Sequence, residues 1–133
     1  MNDKIVMFWL PGQPPRKSNS RRVVRHRGRT KVIKSPAALA WEAQALAAIA
    51  ALDPGLRELA LGSAEHPIWI DFTVYYASRR PDLSVELILD TLQRAGVISD
   101  DRHVYEYHAH KHFSRDAPGV EVRIGYLDGA PVS

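Results

Sequence analysis

No cysteine occurs among the 133 residues, so a disulfide framework, a thiolate metal site and a thiol nucleophile are all excluded. No apolar run approaches the roughly 18 residues that a membrane span requires. The start, Met-Asn-Asp-Lys-Ile-Val-Met-Phe-Trp-Leu-Pro, has too short an apolar stretch for a secretory leader. Neither a glycine-rich phosphate loop nor a Gly-x-Ser-x-Gly elbow is present. A nucleotide cofactor and an α/β-hydrolase triad are therefore unsupported. Internal repeats, low-complexity blocks and inter-domain linkers are missing too. These absences lead us to expect a protein of the cytoplasm with no membrane attachment, of cellular or phage origin.

What is present is an ordinary globular balance, 45% hydrophobic and 25% charged, at a length that suits one packed domain. We expect that domain to span residues 1–127, with 128–133 as a frayed tail. The net charge of +3 is mild, but its distribution is not. Residues 16–34 hold nine of the 18 cations and no acid: Arg16, Lys17, Arg21, Arg22, Arg25, Arg27, Arg29, Lys31 and Lys34. Residues 82–106 hold six of the 15 acids: Asp82, Glu86, Asp90, Asp100, Asp101 and Glu106. A basic arm neutralises a polyanion, whereas an acid cluster repels one unless a cation intervenes. Taken singly, each run is also explained as a solvated face. Together they suggest nucleic acid and a metal ion.

The pattern of elements is β, hairpin, α, β, α, β, β. Residues Lys4 to Leu10 are β-prone and end at Pro11-Gly12-Gln13-Pro14-Pro15. Arg21 to His26 and Arg29 to Ile33 flank Gly28 as a basic hairpin. Ser35-Pro36 is a hydroxyl cap followed by a proline where no amide hydrogen is needed, which starts a helix over Ala37 to Leu52. That Ala-rich helix reads as packing. Leu56 to Glu65 is loose, and Ile68 to Ala77 is a half-buried strand. A second helix is expected over Leu83 to Ala95, with Leu83, Leu87, Ile88 and Leu92 at helical spacing and Gly96 as its stop. Strands follow at Val104 to Phe113 and Val120 to Tyr126. The fold class implied is α+β: a single domain with a small mixed sheet, two main helices on one face and a basic hairpin arm.

In the second helix Asp82, Glu86 and Asp90 recur at i, i+4 spacing along one side. Like charges so placed destabilise a bare helix, and no lysine nearby in sequence offsets them. A divalent cation would, and hard oxygen donors are what magnesium and manganese prefer. Asp100 or Asp101 joins the set if the chain doubles back after Gly96. The alternative is that Asp82 caps the helix, Asp90 is an exposed charge and Asp100-Asp101 is a polar turn. His108, His110 and His112 alternate along one strand and so share a face; they suit zinc or nickel, or are plain surface residues. Trp9, Trp41 and Trp69 are expected in the core.

Several of these segments in order resemble the RusA family of Holliday-junction resolvases. They are Arg27-Gly28-Arg29-Thr30, Arg80-Pro81-Asp82, Leu89-Asp90-Thr91-Leu92, Ala95-Gly96-Val97-Ile98-Ser99-Asp100-Asp101 and the strand lysine Lys111. The likeness covers roughly residues 5 to 125. It implies a homodimer that cuts branched DNA with Mg2+ (Mn2+ as substitute) and no nucleotide cofactor. It also implies that Asp82, Asp90, Asp101 and Lys111 are catalytic. Without a gap, the family's first aspartate falls on Arg80, its asparagine on Leu83 and its helix lysine on Glu86. With a two-residue gap, Asp82 is the first aspartate and Ser84 takes the place of the second. Either way one carboxylate is missing, and we expect Glu86 to replace it as a metal ligand. Arg16, Lys17, Arg21, Arg22, Arg25, Arg27, Arg29 and Lys31 are then the expected DNA contacts. Rival expectations are a branched-DNA binder without catalysis and a nuclease that prefers flaps or forks.

Overall fold

The computed structural model of the chain describes residues 4–17, 21–78 and 83–132. Strands β1 (Ile5–Pro11), β4 (Ile68–Tyr76), β5 (Val104–Phe113) and β6 (Gly119–Tyr126) form one sheet in the order β1-β6-β4-β5. Its β1–β6 and β4–β6 pairs are antiparallel and its β4–β5 pair is parallel, which makes the sheet mixed, as expected. A separate antiparallel pair, β2 (Arg21–His26) and β3 (Arg29–Lys34), is the basic hairpin. His26 faces Arg29, so only Arg27 and Gly28 make the turn. Both have positive φ, 52° and 76°, the signature of a type I′ turn whose twist matches the strands it joins.

Helix α1 (Pro36–Leu52) starts as its sequence indicates. The Ser35 hydroxyl accepts a hydrogen bond from the Ala38 N–H at 3.1 Å, and Pro36 occupies the first turn. Ser35→Ala is expected to cost about 1 kcal/mol, read as a small shift of the urea midpoint at constant slope. Helix α2 (Val85–Arg94) is shorter than the expected Leu83 to Ala95. Ser84 is its N-cap, and Glu86 and Asp90 share the helix. Asp82 lies outside the described residues.

Period-two alternation in β4 buries Ile68, Ile70, Phe72, Val74 and Tyr76 on one sheet face. Val120, Val122 and Ile124 of β6 continue that face. Ala38, Trp41, Ala45 and Ile49 of α1 and Leu87, Ile88 and Leu92 of α2 complete the core. Of the three tryptophans only Trp41 lies there. Trp9 and Trp69 instead stand on the other sheet face, against Gly119 and Gly125, where any side chain would collide with the indoles. The tail is engaged as well: Asp128 bonds His66 at 2.9 Å, and Val132 packs against the core. No described helix is long and apolar enough to cross a membrane.

Candidate active-site groove

Amphipathicity orients α2. Its apolar stripe is sunk into the core, leaving Glu86 and Asp90, one turn apart, on the flank that faces the hairpin. The chain then closes back. Gly96 N–H donates to the Gln93 carbonyl at 3.1 Å and Val97 N–H to the Leu92 carbonyl at 3.1 Å, a Schellman stop whose Val97 and Leu92 are both buried. The segment leaving it runs beside residues 60–62: Leu61 N–H bonds the Val97 carbonyl and Ser99 N–H the Leu61 carbonyl, at 2.9 and 3.0 Å. The Gln93 side chain accepts from the Asp101 N–H at 3.0 Å.

This closure places the two adjacent aspartates differently. Asp100 is spent on the turn: one oxygen accepts from the Arg102 N–H at 3.0 Å. That bond, first among its causes, holds the Asp100 carboxyl below the ordinary aspartate pKa. Asp101, by contrast, lines a groove of about 500 Å³ together with Glu86, Asp90, Ser84, Arg21 and Lys34. A second groove of about 400 Å³ shares Arg21, Ser84 and Glu86 with the first and continues to Lys17 and Tyr107.

The hairpin supplies the cations that sequence spacing did not. Arg21 donates to Glu86 at 2.6 Å, and Lys34 donates to Asp90. Arg21 and Lys34 are directly opposed across β2 and β3, a repulsive placement that the two acids of α2 relieve. Lys34 also reaches the carboxylate of Glu42 at 2.6 Å, whose other oxygen accepts from Arg94. Burial by itself lowers the Lys34 pKa, but the bonds to Asp90 and Glu42 outweigh it and the pKa is raised. Glu42 is a buried partner of the groove residue Lys34 that sequence reading does not reveal. Its signal was a carboxylate at helical spacing from Ala38, Ala45 and Ile49, on the stripe that α1 buries.

Lys111 is placed differently. It pairs with Val74 in β5, is exposed, and does not line either groove. Arg22, Arg25, Arg27, Arg29 and Lys31 are exposed along the hairpin. His108, His110 and His112 lie opposite Asp71, Thr73 and Tyr75, on the sheet face away from the helices, with the His112 ring 5.4 Å from Tyr75. Among the described residues, no three histidine, aspartate or glutamate side chains are gathered closely enough to hold a metal ion.

The model of a family described as endodeoxyribonuclease RusA matches residues 11–125. The chain belongs to the RusA family of endodeoxyribonucleases. It is also 32% identical over 123 residues, 90% of each chain, to a protein of Aquifex aeolicus (strain VF5) named crossover junction endodeoxyribonuclease RusA. The RusA match encloses both the hairpin and the acid-lined groove. It therefore joins the two charge clusters in one nuclease domain.

Proposed function

We propose that this chain resolves four-way DNA junctions as a Mg2+-dependent homodimer, making paired symmetric nicks during recombination and repair. The observation that carries this reading is the groove at the foot of the basic hairpin, which Glu86, Asp90 and Asp101 all line. The donor set is hard oxygen, and protein cations, Arg21 and Lys34, already sit on two of its members. The hard-oxygen donor set fits a divalent ion of the magnesium type. Asp82, Glu86, Asp90 and Asp101 would hold it, with Glu86 in place of the missing family aspartate. An ion held by these residues would supply polarisation of the scissile phosphate and activation of a water.

The remaining work falls to the chain itself. The exposed hairpin arginines neutralise phosphates and set the register of the DNA without reading its sequence. Lys111, exposed on β5, takes a phosphate of the same strand. Two copies related by a two-fold axis present two grooves to the two equivalent cutting points of a junction. The outer position of β5, with Tyr105 and Tyr107 exposed, supports a further surface for that pairing.

Cleavage of a labelled four-way junction with magnesium, beside flap, fork and linear duplex substrates, tests the proposal. Symmetric nicks confined to the junction are expected. Preference for a flap or fork would replace the substrate but keep the nuclease. A second reading has its own support: Glu86 and Asp90 are both ion-paired to the hairpin, as in a binder that has no metal site. Tight junction binding with no cutting in magnesium or manganese would establish it. For the hairpin, Arg25→Ala is expected to flatten the plot of log affinity against log salt by about one unit of slope. It should weaken junction and duplex alike, and an unchanged slope would remove Arg25 from the phosphate grip.

A further inference from the structure

The two carboxylates that Lys34 bridges are unlike. Glu42 is enclosed, its side chain only 4% exposed, and is held on its far oxygen by Arg94. Asp90 is 44% exposed and opens on the groove. One bond of the ammonium is therefore anchored where no ligand reaches, and the other points to a group that a metal ion or solvent can take over. An acid-lined groove repels the phosphodiester it must admit, so a fixed cation inside it has a clear use. An ammonium has three N–H donors, and these two carboxylates occupy two.

We propose that Lys34 is a catalytic residue, an ammonium that passes from Asp90 to a non-bridging oxygen of the scissile phosphate, and that Glu42 is the residue that positions it. This rests on the nuclease reading above. While Lys34 bonds Asp90, it competes with a divalent cation for the same oxygen. Once Asp90 turns to the cation, Lys34 remains tethered by Glu42 and faces the substrate with the donor it has released. No proton changes owner in this exchange; the ammonium acts as a charge and a donor where negative charge develops.

The proposal makes two effects of one substitution run in opposite directions. Lys34→Met removes the competitor, so the DNA-free protein is expected to bind Mn2+ about tenfold more tightly, measured by titration with EPR detection of free Mn2+. The same variant is expected to cut a synthetic four-way junction about 100- to 1,000-fold more slowly in single turnover at saturating protein and metal. Junction binding in Ca2+ should stay within about threefold, since one phosphate contact among many is lost. Lys34→Arg, which keeps the charge, should restore part of the rate, and Glu42→Gln should slow cutting less than Lys34→Met does. Should the methionine variant melt below the assay temperature, Lys34→Gln carries the same readouts.

A Lys34→Met protein that cuts at the wild-type rate overturns the proposal, as does one whose Mn2+ affinity is unchanged or weaker. In both cases a wild type that cuts leaves the nuclease reading intact. A wild type that binds junctions and cuts none overturns that reading and the role of Lys34 with it.

Discussion

Asp101→Asn is expected to reduce junction cleavage about a thousandfold while junction binding in Ca2+ stays within about threefold. The reason lies in what the side chain does and does not hold. The Asp101 carboxylate lines the groove beside Glu86 and Asp90. The bond that secures this residue to α2, from its N–H to the Gln93 side chain, is made by the backbone. Asparagine keeps the shape and that bond and removes only the charge a metal ion requires. Asp100→Asn is the matched control. Asp100 serves the turn through its oxygen on the Arg102 N–H, and an amide oxygen accepts that bond equally well, so cutting should stay within about threefold. The pair is more decisive than Asp90→Asn, which would also release Lys34. A dead Asp100→Asn beside an active Asp101→Asn would reverse the assignment. Single-turnover cleavage of a labelled junction, with thermal melts to show that both variants are folded, reads all of this.

That assignment also shows where the sequence stops being legible. The elements were readable because their signals are local: the Ser35-Pro36 cap, the Gly96 stop, the alternation of β4 and the hairpin around Gly28. The acid cluster was readable as composition. Which aspartate enters the groove was not, because it depends on the bonds of residues 60–62 to residues 96–99, and that segment reads as loose. The spacing predicts a start for α2 two residues early because Leu83 fits the apolar stripe, whereas Ser84 is the N-cap. The partners of Glu86 and Asp90 were invisible for a related reason: they come from Arg21 and Lys34, 65 and 56 residues away in the chain. Glu42 was hidden by its company, a single acid in a helix whose other buried members are apolar. Residue type predicts Trp9 and Trp69 in the core, yet Gly119 and Gly125, which lack side chains, leave room for their rings on the other sheet face.

The second large effect is expected at Gly96, which does not line the acid groove. Gly96→Ala should destabilise the fold by about 3 kcal/mol, adding a left-handed backbone penalty to a steric one, and lower the melting temperature by roughly 10 °C. Gly96 has φ +82°, a region that side chains rarely adopt, and a Cβ there would stand 2.3 Å from the Arg57 carbonyl oxygen. That obstacle is backbone, so no rotamer change relieves it. Its own carbonyl accepts from the Ala60 N–H at 2.9 Å, so moving Gly96 away loosens the seam between residues 60–62 and 96–99. The same seam carries Asp101 to the groove. Gly96→Ala is therefore expected to lose cutting at temperatures where the protein is still folded, with the remaining activity rising as metal concentration is raised. Asp101→Asn should show no such recovery, because there the proposed ligand itself is gone. A Gly96→Ala protein with wild-type melting and wild-type metal dependence would mean that the seam gives way without moving Asp101, and that the groove is positioned by α2 alone.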